Sequence, residues 1–559
     1  RRIRDQCMAW RIVDDGSDER GFTSPTGLWY RYQSKSHRGD MRGLVSAGTI
    51  RGNCSIPDRH IGSPIGGALR RDVIAGLACA FLSGPAKATP PDAAVRRVTI
   101  DGLSVPYRIR TEPTTITGPD GAIGTIVSFS YLRDDVTDRA ARPVLFVFNG
   151  GPGASSVWLH LGAMGPMVVR QPRDVDPASV PPFDLMENDA CPLDQADLVF
   201  IDPIGTGFSR LAPSAKPGDA FGVEQDARTI AQFIDRWLTL HDRWNSPKFI
   251  MGESYGTVRA AVLQRLLMGG PRSGGLLRAI TIDGIILVGA TLRPPGTVPP
   301  VEGAVALLPT LAATAWYHRT VDRGGRSLAD CVDRAIAFAE GPYLSALHQG
   351  SRLTERQRGE VAGQLAALTG LPRDRLVANE LIVTAGLFVE GTAASRGRDV
   401  GLYDSRYTLA RRAPGTASDP VADDPAMAQY TPAFAALWHR YLRDLPASPA
   451  MEDYRLIAWS GVNDRWTFER EGVPDDQSYA IDLAAAMRRN PQLRLLLASG
   501  YFDLATPFRA AEDALAQAYV PLDRVRSVRY DCGHMVYLGA SRPRFLRDVR
   551  GFLARAGGA

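Results

Sequence analysis

Cysteine is scarce in this chain: six in 559 residues, too widely spaced for a disulfide framework or a zinc site. Cys7, Cys54 and Cys79 fall in the first 88 residues, and Cys191, Cys331 and Cys532 could form one bridge at most. A strong net charge is missing too. The formal charge is +5, and the first 88 residues account for all of it; the first 65 alone carry 11 Lys/Arg against 7 Asp/Glu. The remainder is close to neutral, so the basic balance is no sign of a nucleic-acid surface. The apolar run Val73–Leu82 is too short to cross a bilayer, and no stable membrane insertion is expected. No internal repeat is visible. The glycine-rich segment at 149–153 is not followed by Gly-Lys-Ser/Thr, which excludes a phosphate loop.

That short apolar run has a context. Arg70-Arg71 precedes it, and Ser83-Gly84-Pro85-Ala86-Lys87-Ala88 follows. Basic, apolar, then small-x-small is the order of a secretory signal peptide, placed at 66–88 with cleavage after Ala88. It predicts a secreted or periplasmic protein; a short buried helix is the alternative. Residues 1–65 are rich in Arg, Gly and Ser and lack periodicity. They read as an upstream extension, either foreign to the native protein or disordered.

Beyond residue 88 a rhythm sets in. Val95–Arg110 and Ile123–Leu132 alternate as antiparallel strands do, joined by turns at Asp101-Gly102 and Gly118-Pro119-Asp120-Gly121. Val144–Phe148 and Asp197–Asp202 are continuous apolar runs, the signature of strands covered on both faces. Glu224–His241 carries Ala227, Ile230, Ala231, Ile234 and Leu238 at helical spacing. A strand around Phe249, a helix over Val258–Met268 and a strand over Ile280–Val288 follow. Residues 291–450 break the pattern with helical segments (Leu328–Ala339, Thr354–Leu368, Met427–Leu442) and no core strand. The alternation resumes with strand Tyr454–Trp459, helix Tyr479–Arg489, strand Leu493–Ala498, helix Phe508–Ala518, strand Val525–Tyr530 and helix Arg544–Ala554. The reading is an α/β fold with a mostly parallel central sheet and helices on both faces. Core segments 89–290 and 451–559 flank an inserted helical cap at 291–450.

Gly252-Glu253-Ser254-Tyr255-Gly256 sits between a strand and a helix, the layout of a nucleophile elbow. A serine hydroxyl is a weak nucleophile and needs a base and an oxyanion hole. In α/β-hydrolases the chain order is Ser, Asp, His. Four histidines follow Ser254, and only His534 comes just after a core strand; His318, His348 and His439 lie in cap segments. Asp503 likewise follows the Leu493–Ala498 strand. Asp531 stands too near His534 in sequence, and Asp464 follows a weaker strand, so both are less favoured carboxylates. Strand ends are where chemistry collects in open α/β sheets. The Tyr255 N–H and a glycine of Asn149-Gly150-Gly151-Pro152-Gly153, which follows the Val144–Phe148 strand, suit an oxyanion hole.

Asn149-Gly150-Gly151-Pro152-Gly153-Ala154-Ser155-Ser156, Asp202-Pro203-Ile204-Gly205-Thr206-Gly207-Phe208-Ser209, Gly252-Glu253-Ser254-Tyr255-Gly256 and Gly533-His534-Met535 together resemble the signature segments of the serine carboxypeptidase family. They occur in family order over about 95–540. The resemblance implies an α/β-hydrolase with Ser254 as nucleophile, His534 as base, Asp503 as its partner, and Gly151 and Tyr255 N–H groups as the oxyanion hole. It also implies that Asn149, Gly150 and a protonated Glu253 hold the free carboxylate of a peptide's last residue, with no metal or cofactor. One departure stands out. The family's second glutamate, which shares a proton with the first, is Ala163 here. Without that pair, Glu253 is expected to have less reason to hold its proton, which predicts weaker carboxylate binding or activity at less acidic pH. The tryptophan usual before the asparagine is also absent, and the sparse cysteines resemble a bacterial branch. An esterase or acyltransferase built on the same triad is the alternative function, and an inactive scaffold a more distant one.

Overall fold

A computed structural model of the chain describes residues 94–554 except 173–174, 176–179, 272, 274, 414–418 and 446–453, together with two short paired strands at 21–23 and 29–31. The leader-like segment 66–88 and most of 1–65, with Cys7, Cys54 and Cys79, lie outside the described residues.

The core is a mixed sheet built from β1 (Arg96–Ile100), β2 (Leu103–Gly118), β3 (Gly121–Arg133), β4 (Val144–Phe148), β5 (Asp197–Asp202), β6 (Lys248–Glu253), β7 (Gly284–Val288), β8 (Arg494–Gly500) and β9 (Val525–Tyr530). Their spatial order is β9-β8-β7-β6-β4-β5-β3-β2-β1, with Arg210–Leu211 pairing on β3. The six strands from β9 to β5 are mutually parallel, and β3, β2 and β1 add an antiparallel meander. Every residue of β4, β5, β6 and β7 is buried, which is why these strands read as unbroken runs rather than alternations.

Helices cover both faces. On one side α1 (Val223–Leu240), α2 (Tyr255–Met268), α7 (Ala480–Arg489) and α8 (Phe508–Gln517) pack into one apolar cluster with Phe146, Ile250 and Leu497 of the sheet. On the other, α6 (Pro425–Arg443) and α9 (Arg542–Ala554) pack with Phe129, Phe200 and Met251. The spacing seen in α1 is the physical cause of its placement: Ala227, Ile230, Ala231, Ile234 and Leu238 form its buried stripe.

Between β7 and α6 the chain builds a separate helical cluster from α3 (Pro300–His318), α4 (Leu328–Phe338) and α5 (Glu355–Thr369), cored by Leu308, Leu311, Phe338 and Leu365. Helix α6 also falls within 291–450, but it packs on the sheet: Trp438 meets Phe129 edge-on and Phe434 lies 5.0 Å from Trp158. One expected strand is absent. Tyr454–Trp459 joins no sheet; it makes only isolated bridges, Arg455 with Gly207 and Ile457 with Ala154. Its backbone groups go instead to the loop after β4, where Ser155 N–H donates to Leu456 O and Ala458 N–H to Gly153 O.

Candidate active site

Strand β6 ends at Glu253 and helix α2 starts at Tyr255, leaving Ser254 alone at the corner with φ 58° and ψ −129°. A positive φ on a residue with a side chain costs about 1–2 kcal/mol. The turn is held by the Ser254 N–H donating to Val288 O (2.9 Å), and by the Thr257 N–H and hydroxyl donating to Ser254 O. The strain thus belongs to a corner that aims one hydroxyl off the carboxyl edge of the parallel strands.

The loops after β8 and β9 bring the other two residues together. His534 Nδ1–H donates to Asp503 Oδ2 at 2.8 Å. Asp503 is fully buried, and its remaining capacity is filled by the Ala505 N–H, the Thr506 N–H and the Thr506 hydroxyl. It is therefore fixed in rotation and accepts from the Nδ1 edge of the imidazole. His534 Nε2 is buried and has no hydrogen-bond partner among the described residues, while His534 and Ser254 line the same cavity of about 170 Å³. Burial pulls the imidazole's proton affinity down; the charge and hydrogen bond of Asp503, with help from Glu253 and Asp424, outweigh it and leave the pKa raised.

A segment far from either loop staples both. His534 N–H donates to Tyr403 O (2.6 Å) and Gly533 N–H to Asp404 Oδ2 (2.9 Å). Leu504 and Ala505 N–H groups donate to Leu402 O, and Ser405 N–H to Phe502 O. Asp404 is held by Arg406, which donates to both its oxygens and to Asp531 O. Asp404, Arg406 and Thr506 were invisible to motif reading. The first two lie in an aperiodic join, where only the acid–base spacing Asp404-x-Arg406 is a hint.

The loop after β4 lies against the elbow. A Cβ on Gly150 would stand 2.4 Å from Tyr255 N and 2.6 Å from Glu253 O, so only glycine allows this approach. The contact brings Gly151, at φ 99°, into the same cavity wall as Tyr255 and Ser254. Asn149 is oriented by its neighbours: its Oδ1 accepts the Leu159 N–H (3.1 Å), which leaves the amide NH₂ as a donor. Its carbonyl accepts from Arg259, which is buried and paired with Asp226 at 2.6 Å.

Glu253 ends β6 in the same cavity and is 3% exposed. Burial pushes its carboxyl up to about 7, against the lowering effects of His534, Tyr537 and Asn149. The raised value runs against one part of the expectation drawn from Ala163, that Glu253 has less reason to hold its proton: burial first, and then the Asp503 charge, disfavour its ionised form without a second glutamate. Elsewhere the cavity wall includes Trp158, Val421, Met427, Ile457, Trp459 and Phe468, with Arg293 and Asn463 among its polar residues, drawn from separate chain segments that no motif connects. Among the described residues no three His, Cys, Asp or Glu converge as metal ligands. Cys191, Cys331 and Cys532 are buried and free.

The geometry agrees with comparisons to known proteins. A family model described as serine carboxypeptidase matches residues 128–531. Serine carboxypeptidase-like 4 of Arabidopsis thaliana is 31% identical over 164 residues, which is 28% of this chain and 35% of that protein. The pheromone-processing carboxypeptidase kex1 of Pyrenophora tritici-repentis is 24% identical over 212 residues, 38% of this chain and 29% of that one. The chain thus aligns with about a third of the length of these relatives. The crystal structure of a prohormone-processing carboxypeptidase from Saccharomyces cerevisiae covers 80% of this chain and 91% of its own, at 12% identity and a TM-score of 0.48. With the family match extending from β3 into the start of the loop after β9, and three of the four signature segments meeting in one cavity, the chain belongs to the serine carboxypeptidase family.

Proposed function

We propose that this protein is a serine carboxypeptidase that releases C-terminal amino acids from peptides with a free C-terminus. The observation that carries the reading is the composition of one cavity. Ser254 and the free Nε2 edge of His534 stand beside two donors suited to a carboxylate, the Asn149 amide and a Glu253 whose carboxyl burial pushes up to about 7. In the proposed mechanism, His534 Nε2 takes the Ser254 proton as Oγ attacks the last peptide carbonyl. Gly151 and Tyr255 N–H groups stabilise the oxyanion. Asp503 keeps the imidazole in the correct tautomer and stabilises its charged form. His534 then protonates the departing amine, and water, activated by the same base, hydrolyses the acyl-enzyme. Asn149, the Gly150 N–H and the Glu253 O–H bind the substrate's terminal carboxylate. This places the last peptide bond, and no other, over Ser254. No step calls for a metal or cofactor.

The helices between β7 and α6 serve as a cap over the site in this reading. The leader-like sequence at 66–88 supports a secreted or periplasmic location, and the sparse cysteines, with Cys191, Cys331 and Cys532 unpaired, support the bacterial-type branch of the family.

A panel of one peptide as its free acid, its C-terminal amide and its C-terminal ester tests the reading. Preferred turnover of the acid, abolished in Ser254→Ala, is expected. Turnover of the ester alone would reassign the protein as an esterase or acyltransferase. No covalent labelling of Ser254 by a fluorophosphonate would make it an inactive scaffold.

A further inference from the structure

Glu253 Oε2 and the hydroxyl of Tyr537 are buried at the end of the site, and neither closes a hydrogen bond of full geometry among the described residues. Tyr537 comes three residues after His534 and is 1% exposed. It does not line the cavity, whereas Glu253 and Asn149 do, so it stands behind them. The tyrosine hydroxyl and the Glu253 carboxyl lie within electrostatic reach of each other, and the Asn149 amide reaches both. Its ring is seated by a specific absence of side chain. A Cβ at Gly162 would lie 2.3 Å from Tyr537 Cε2 and 2.7 Å from Cδ2. Gly162 thus makes room for this ring one residue before Ala163, within the turn His160–Met164.

A buried O–H and a buried carboxyl oxygen within side-chain hydrogen-bonding reach of each other are complementary. We propose that Tyr537 is a positioning residue for Glu253: its hydroxyl donates to the carboxyl from behind the cavity and turns the other oxygen toward the substrate carboxylate. The inference rests on the assignment of Glu253 and Asn149 as the carboxylate site. It has a consequence for pH. When Glu253 is protonated, its own O–H points into the cavity and binds substrate. When it ionises, the Tyr537 donor stabilises the charge and hastens the loss of that binding. The other groups that face Glu253 are His534, Asp503 and Asn149; Tyr537 itself faces Glu253 and Asn149.

The test is Tyr537→Phe, which keeps the ring against Gly162 and removes only the hydroxyl. KM and kcat are measured from pH 5 to 9 for a free-acid peptide and for its C-terminal ester. In the wild type, KM for the acid rises as Glu253 ionises. In Tyr537→Phe that rise moves up by about half a pH unit or more, because the charged form has lost a donor. KM and kcat for the ester, which has no carboxylate, stay within about twofold. Gly162→Ala, which displaces the ring while keeping the hydroxyl, raises KM for the acid more than for the ester. An unmoved KM limb in a folded Tyr537→Phe overturns the inference while leaving the carboxylate site intact. Equal wild-type KM for acid and ester removes the carboxylate site and the inference with it.

Discussion

Glu253→Gln gives the sharpest view of what burial does to this site. In the folded protein the Glu253 carboxyl is pushed from 4.5 up to about 7. That span is roughly 2.5 decades of proton affinity, and ~1.4 kcal/mol per decade gives about 3 kcal/mol. The direction follows from proton counting. Between those two values the folded state holds the proton and the unfolded chain has lost it, so the folded state is weakened as pH rises through that window. Below about 4.5 both states are protonated and the favourable contribution is complete; above about 7 it is gone. Glutamine has no charge to desolvate. Glu253→Gln should therefore match the wild type in stability near pH 4 and exceed it by about 3 kcal/mol at pH 8. Urea unfolding at half-unit pH steps, with the two proteins compared at each pH, reads the effect because titrating groups other than His534 and Asp503, which face Glu253, cancel. Parallel stability curves for the two proteins would refute the argument. They would mean that water or a nearby cation compensates the charge.

Other expectations concern the frame around the triad. Asp404→Ala leaves the largely buried Arg406 guanidinium without its carboxylate and frees the Gly533 N–H, and should cost roughly 3–5 kcal/mol in chemical unfolding. The loss should be smaller when Arg406 is removed as well. Asp503→Asn should lower kcat by about 10⁴-fold with little change in KM, because the His534 tautomer is no longer fixed. Ser254→Gly should unfold at higher denaturant than Ser254→Ala by about 1 kcal/mol, since only glycine relieves the φ of 58°.

Much of this fold could be read in advance where local pattern and tertiary role coincide. Asp197–Asp202 and Val525–Tyr530 are strands with the expected ends, and the α1 stripe is buried as its spacing requires. Ser254 was legible because an elbow needs glycines and a strand–helix junction, both local demands. Asp503 and His534 were legible through their positions after core strands. The failures have physical causes as well. Tyr454–Trp459 has a strand's pattern, but its backbone is spent on the loop that carries Gly151 to Gly153. Helix α3 is buried on nearly all sides of its middle turns and contains Pro309, so no polar face gives it a period. The titration of Glu253 depends on burial supplied by segments hundreds of residues apart, and the Ala163 substitution pointed the other way. The staple by Asp404 and the seat of Tyr537 on Gly162 are contacts between distant loops with no sequence signature.

The central claim is that Ser254, served by His534 and Asp503, cuts only the last bond of a peptide. The direct test is mass spectrometry of an unblocked peptide of mixed sequence during digestion. The account predicts a ladder that shortens one residue at a time from the C-terminus with wild-type protein and an intact peptide with Ser254→Ala. Internal fragments, shortening from the N-terminus, or an undiminished ladder with Ser254→Ala would contradict it.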